Sequence, residues 1–190
     1  MLSDLVFKNR SYRAFDQSQP ITKEVMTTLV DLARNTPSGM NRQPLRYRIL
    51  NEQKELDAML ANCRFAGSLS IKLPPENGAP TGYIVMFTDT EAQSPESLAL
   101  KDVGIAAQTI LLGATELGFG GCMLGSFDPA RLCKDFDIPA RYQPKLVIAM
   151  GKPAEHICLT TPRKDGSLVY YRDENNTHYV PKHNLEDILI

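Results

Sequence analysis

Tryptophan is absent from this 190-residue chain, histidine occurs three times and cysteine four times. His156, His178 and His183 do not form H-E-x-x-H or another metal-binding spacing, so metal catalysis is not expected. Cys63, Cys122, Cys133 and Cys158 include no C-x-x-C pair and are read as free thiols of a cytoplasmic protein, not as a disulfide or redox pair. Neither sign of charge dominates. Lys and Arg total 21, Asp and Glu 22, and the formal net charge is -1. A chain so balanced offers no basic field for a polyanion, which excludes nucleic acid as its main ligand and makes any anion site local. No uninterrupted apolar run approaches the roughly 18–20 residues of a bilayer span, and the acid at Asp4 breaks any signal-peptide core, so no membrane role is expected. Ser-His-Asp, Cys-His and paired-carboxylate arrangements are also missing. Asp135 and Asp137 are expected to face water, and hydrolytic or nucleophilic catalysis has no candidate residues. Asn9-Arg10-Ser11 and Asn175-Asn176-Thr177 match the glycosylation pattern but, with no secretory signal, are read as chance.

What is present is ordinary globular chemistry: 43% hydrophobic and 23% charged residues, enough for one domain with a substantial core. Ser3 is expected to cap a short helix with Leu2, Leu5 and Val6 inward. A stronger helix should open at Pro20-Ile21-Thr22, bury Val25, Met26, Leu29, Val30, Leu32 and Ala33, and stop at Asn35–Gly39. Tyr47–Leu50 and Tyr83–Phe87 read as strands, Gln53–Ala61 as a short helix, and 64–82 as a surface loop that is the one obvious place for a lid. Residues 97–117 form a helix apolar nearly all round, which must be buried on all sides, in part against a second subunit. Met123-Leu124 and Lys145–Met150 are further strands, separated by a helix over Pro129–Phe136. Beyond Pro153 the chain turns polar, and nothing there is expected to build a core alone. The alternation of elements lacks regular β-α-β spacing, which points to an α/β (α+β) fold with a mixed sheet.

Two clusters can carry chemistry. Arg10-Ser11-Tyr12-Arg13 places two guanidinium groups and a hydroxyl beside a helix end, a set suited to a phosphate dianion, with Arg13 free to point elsewhere. A fixed cation there would also suit the anionic edge of a reduced flavin. A plain solvated charged face is the alternative. Pro37-Ser38-Gly39-Met40-Asn41-Arg42-Gln43 follows about 25 residues later. Gly39 permits close backbone approach, and Asn41 and Gln43 can donate and accept in one plane, which suits ribityl hydroxyls and a pyrimidine edge. A simple helix-stopping loop is the alternative here. The glycine-rich stretch Leu117–Phe127 follows a helix rather than a strand, so it is neither a dinucleotide fingerprint nor a P-loop; it could run backbone amides past a planar ring or be a plain turn and strand.

The order R-S-x-R-x-F (Arg10–Phe15), P-S-x-x-N-x-Q-P (Pro37–Pro44), D-x-x-x-A-A-Q (Asp102–Gln108), Leu117-Gly118 and I-P…G-x-P (Ile138-Pro139, Gly151–Pro153) resembles the FMN-dependent nitroreductase family. That resemblance implies a nitroreductase-like fold, a mixed central sheet flanked by helices in an intertwined homodimer with FMN at the subunit interface. The whole chain, 1–190, would be one domain, with 154–190 as an extension contacting the partner subunit. It implies that Arg10 and Ser11 hold the phosphate, that Arg13 sits by the N1/O2 edge, and that Pro37, Ser38, Gly39, Asn41 and, more weakly, Gln43 come from the other subunit. Leu124, Gly125 and Ser126 would line the ring near N5, and Lys182 would reach the phosphate. No residue would be catalytic in its own right. The implied activity is hydride transfer from NADH or NADPH to nitroaromatics, quinones or similar small acceptors by a ping-pong scheme. A flavin-storage protein, or the same fold turned to dehalogenation or flavin cleavage, are the alternatives. Leu45 stands where many members have tryptophan, Asn9 where arginine is common, and Gly125 where some carry glutamate.

Overall fold

A computed structural model describes residues 1–67, 71–174 and 177–190. Part of the 64–82 loop and the Asn175-Asn176 pair of the second glycosylation pattern lie outside the described residues. The chain divides into two compact units, Met1–Pro153 and Ala154–Ile190.

The first unit is built on α1 (Leu2–Lys8), β1 (Phe15–Asp16), α2 (Lys23–Arg34), β2 (Leu45–Leu50), α3 (Gln53–Asn62), β3 (Gly82–Asp89), α4 (Glu96–Glu116), β4 (Gly120–Leu124), α5 (Pro129–Asp135) and β5 (Tyr142–Pro153). Its sheet runs β2-β3-β5, with β1 and β4 both paired to β5. All four strand pairs are antiparallel, and a bridge between Ser11 and Gly121 adds a parallel link. Every residue of β3 is buried, because helices cover both faces. Side chains alternate with the pleat. Ile84, Met86, Ile148 and Met150 pack against α2 and α4, whereas Tyr83, Val85, Phe87, Val147 and Ala149 pack on the face of α3 and α5.

Thr22 caps α2, its side chain accepting from the Val25 amide at 3.3 Å, and Asp128 caps α5 by accepting from Ala130 and Arg131. Two local expectations fail. Met1, not Ser3, precedes α1, where the terminal ammonium pairs with Asp4 at 2.7 Å, and α1 buries no residue; Leu2 and Val6 are exposed. Leu32 is also exposed on α2.

Helix α4 is long and apolar enough, by length and composition, to cross a membrane, yet it is the central helix of the fold. Ala106, Ala107, Ile110 and Ala114 are buried against α2 and the sheet, while Leu100, Gly104 and Ile105 face outward. Burial within this chain is thus one-sided. The stretch read as a glycine-rich segment holds a true strand, β4. Its glycines are required by crowding: a Cβ on Gly121 would stand 2.5 Å from the Ala149 carbonyl oxygen, and one on Gly120 2.6 Å from the Tyr12 ring.

The second unit contains a three-stranded sheet, β6 (Ile157–Thr160), β8 (His178–Pro181) and β7 (Tyr171–Arg172), in that order. It is packed by polar and aromatic contacts, not an aliphatic core. Tyr171 stacks on Tyr179 at 5.0 Å between centroids, Arg163 lies over Tyr171, and Arg172 pairs with the buried carboxylate of Glu155. Strands of two to four residues leave little periodicity to read, which is why the sequence showed only polar chain there.

Candidate functional site

The first cluster rides on a segment pinned by its aromatic residues. Phe15, 1% exposed, pairs with Pro153 and fills the space beside Gly151, where an added Cβ would meet it at 2.9 Å. The Tyr12 ring packs on Gly120, its hydroxyl donates to the Lys8 carbonyl at 2.9 Å, and its amide donates to the Gly121 carbonyl at 3.0 Å. These anchors hold Arg10 and Ser11, just before Tyr12, and Arg13, just after it, beside the edge of β4. Ser11 is exposed. Arg13 turns Nη1 back to the Ser11 carbonyl at 3.1 Å. Arg10 donates from Nη2 to the Val6 carbonyl at 2.6 Å, has no acidic partner among the described residues, and keeps its Nε buried without a hydrogen-bond partner. Burial pulls its pKa below the ordinary arginine value, with Tyr12 opposing. A half-dry guanidinium with an orphan donor is a ready partner for an anion.

The second cluster is a tight loop held at both ends by buried acids. At its start, Asp102 of α4 is 4% exposed and accepts from Ser38 Oγ at 2.6 Å and from the Gly39 amide at 3.0 Å. Ser38 Oγ in turn accepts from the Gln43 amide at 2.9 Å. At its end, the Asp89 amide donates to the Pro44 carbonyl, and Arg46 donates to the Gln43 carbonyl while pairing with Asp89 at 3.0 Å; Arg141 completes that cluster at 2.8 Å. Burial pushes the Asp89 carboxyl up, but the Arg141 hydrogen bond, the Glu91 amide and the two guanidinium charges outweigh it and leave the pKa below the usual range. Between the anchors Met40, Asn41 and Gln43 all have positive φ, a conformation that costs a non-glycine residue on the order of 1 kcal/mol and persists only where surroundings enforce it. Gln43 Nε2 donates to Asn41 Oδ1 at 3.0 Å. Pro37 and Ser38 line a cavity of about 400 Å³ that also touches Arg46, Tyr47 and Asp102. Burial and the Asp102 charge push the Tyr47 phenol up to about 12.

The third stretch follows β4. Leu124 is buried and faces α3 and α5, while Gly125 and Ser126 are exposed, and a Cβ on Gly125 would meet nothing within 4 Å. The Ser126 carbonyl accepts from the Arg64 amide at 2.9 Å. Gly125 and Ser126 line a cavity of about 450 Å³ with Cys63, Arg64 and Arg131; burial pushes the Cys63 thiol up to about 12, which keeps it protonated and unreactive. A larger cavity of about 660 Å³, between the starts of α2 and α3, contains none of the candidate residues. Lys182, at the end of β8 in the second unit, donates its amide to Thr160 and exposes its side chain.

Sheet register separates the clusters. Ser11 bridges Gly121, which pairs with Met150, whereas Leu45, just after the loop, pairs with Thr88 and through it with Gln143. From Met150 to Gln143 is seven residues of β5, about 23 Å along the strand. Within one chain, Arg10-Ser11 lies next to the β4 stretch, while the 37–43 loop lies at the far end of the sheet. The residues that sequence reasoning passed over are Asp89, Arg46 and Arg141, together with the anchoring role of Asp102.

Residues 6–152 match the nitroreductase family, and the chain belongs to it. YodC of Bacillus subtilis, assigned as an NAD(P)H nitroreductase, is 26% identical, over 78% of this chain and 88% of its own length. The oxygen-insensitive NADPH nitroreductase of Helicobacter pylori is 23% identical, over 78% of this chain and 85% of its own. The fold is that of a protein of Desulfovibrio desulfuricans assigned as a nitroreductase and solved in complex with FMN, at a TM-score of 0.74 and 23% identity, covering all of this chain and 95% of the other.

Proposed function

We propose that the protein is an FMN-dependent oxidoreductase that carries electrons from NADH or NADPH to an electron-poor acceptor such as a nitroaromatic or quinone, donor and acceptor taking turns at one pocket. The observation that carries this reading is the pairing of Arg10, with its buried orphan Nε and no acidic partner among the described residues, with the exposed hydroxyl of Ser11 on the edge of β4. These residues would hold the FMN phosphate, and Arg13 would place positive charge near the N1/O2 edge. When bound, FMN supplies the ring that takes up a hydride and passes it on. Gly125, with open space beside it, and Ser126 would leave that ring accessible, which favours turnover over storage.

Pro37, Ser38, Gly39, Asn41 and Gln43 serve the same cofactor from a second subunit in this reading. The seven residues of β5 between the register positions of the two clusters, about 23 Å along the strand, support that division. The apolar residues left exposed on α1 and α4, Leu2, Phe7, Leu100 and Ile105, support a homodimer by giving a second copy something to cover. Lys182 is proposed as a further phosphate contact on family resemblance. The four free thiols accord with the cytoplasm.

The test is a visible spectrum of the purified protein, followed by NADH or NADPH without oxygen. A flavin spectrum that bleaches on addition is the expected result. A yellow protein that bleaches with neither nucleotide favours the storage reading. A colourless protein that does not take up added FMN overturns the proposal.

A further inference from the structure

We infer that Asp102 is the positioning residue of the cofactor loop, and that Ser38 serves the cofactor by holding the loop to Asp102 and not as a direct ligand. The functional half of this inference rests on the FMN reading; the conformational half does not. A serine hydroxyl has one proton to donate. In Ser38 that proton goes to Asp102 Oδ2 at 2.6 Å, and the oxygen receives the Gln43 amide at 2.9 Å. Its one proton and one of its acceptor lone pairs are committed before any ligand arrives, so Ser38 has no donor left to offer. The second carboxylate oxygen takes the Gly39 amide at 3.0 Å, so one buried acid fixes two consecutive residues of the loop and, through Ser38, a third. Gly39 is itself tight against α4: a Cβ there would lie 3.1 Å from Leu98 Cβ.

These ties bracket Met40, Asn41 and Gln43, the three residues held at positive φ. Such a backbone does not keep its shape by local preference. Asp102 therefore sets the direction in which the exposed Asn41 and Gln43 side chains and the loop amides are presented. Carboxylate, hydroxyl and amide form a chain in which removing either of the first two members breaks the same constraint.

That logic predicts non-additivity. Asp102→Asn keeps the size and one carbonyl acceptor but offers amide donors to a hydroxyl that needs an acceptor; Ser38→Ala, on the half-exposed loop, removes the link from the other side. Isothermal titration with FMN should show each single variant weakened by roughly 10-fold or more, the worth of one charge-assisted hydrogen bond. The double variant should be no weaker than the worse single one. Trypsin supplies a readout that needs no flavin, because Arg42 is an exposed cleavage site within the loop. In the FMN-free proteins, cutting after Arg42 should be faster in both variants to a similar degree, with the other cuts unchanged. Multiplying losses in the double variant would make Ser38 a direct ligand and overturn the inference, as would an Arg42 site cut at the wild-type rate in both variants. A wild-type protein that binds no FMN would remove the flavin reading alone, and the proteolysis would still decide whether Asp102 holds the loop.

Discussion

Two glycines four residues apart should respond differently to the same added methyl group. Gly121 sits inside β4, pairs with Met150, bridges Ser11 and receives the Tyr12 amide on its carbonyl. In Gly121→Ala the new Cβ would lie 2.5 Å from the Ala149 carbonyl oxygen and 2.9 Å from Leu111 Cδ2. Leu111 can yield a little by turning its side chain, but the carbonyl belongs to the sheet and cannot. Strand β4 must lift from β5 by several tenths of an ångström, and Ser11 and Tyr12 move with it. Overpacking of this kind destabilises by about 1–3 kcal/mol. At roughly 2–4 °C per kcal/mol for a protein of this size, the melting temperature should fall by about 2–12 °C. Gly125→Ala meets nothing within 4 Å and its φ is not positive, so its melting temperature should stay within about 2 °C of wild type. Scanning calorimetry on the flavin-free proteins measures both. FMN titration should then show Gly121→Ala weakened through Ser11, and steady-state kinetics should show Gly125→Ala altered in KM, because its methyl enters the space proposed for the ring edge. Equal melting temperatures for the two variants would refute the reasoning, for it would mean that the crowding at Gly121 is not real.

Arg10→Ala should leave the flavin-free melting temperature nearly unchanged, since among the described residues the side chain makes one hydrogen bond, to Val6, while raising the FMN dissociation constant roughly 10- to 150-fold, the worth of a charge-assisted phosphate contact. A change under about twofold by titration would remove Arg10 from the phosphate site. Asp89 has a lowered pKa in the folded state, so its contribution to stability is full above the unfolded value near 4 and is lost as the pH falls through the folded value. Melting temperatures measured from pH 6 down to about 3 should therefore fall more steeply for wild type than for Asp89→Asn, and parallel curves would show that the carboxylate does not contribute.

The strongly patterned parts of the fold were legible. The Thr22 cap and the 3.6-residue spacing of Met26, Leu29 and Ala33 mark α2, and the unbroken apolar run of β3 marks a strand covered on both faces. The two polar clusters stood out as short runs of Arg, Ser, Asn and Gln beside helix ends, although each also had a plain structural reading. Where the sequence misled, a local signal was overridden by tertiary context. The apolar positions of α1 predicted an inward face, yet Leu2 and Val6 are exposed among the described residues; α4, expected to be buried in part against a second subunit, leaves Leu100 and Ile105 exposed within this chain. Strand β4 was half hidden because glycine, its commonest residue, is a poor strand former; here it is needed for the close approach of Tyr12, Ala149 and Leu111.

The anchors of the second cluster were illegible for a different reason. Ser38 and Asp102 are 64 residues apart, and Asp89 and Arg141 are 52 apart, so no window of chain contains either pair. Periodicity reports which face a residue occupies but not which polar group it will meet across the core. The available signal was a contradiction: an acid on the buried side of an otherwise apolar helix, next to Val103 and one turn from Ala99 and Ala106, and another at the end of a wholly buried strand. A carboxylate does not stay in such a place uncompensated, because its desolvation exceeds what any single neighbouring side chain returns. Each acid therefore implied a donor set elsewhere in the chain. The loop from Ser38 to Pro44, with its freed amides and positive φ values, supplies donors to Asp102 directly and leans on the Asp89 cluster at its other end. On this view the buried acids and the strained loop explain each other: neither is stable without the other, and the conformation offered to a ligand is the one they jointly enforce.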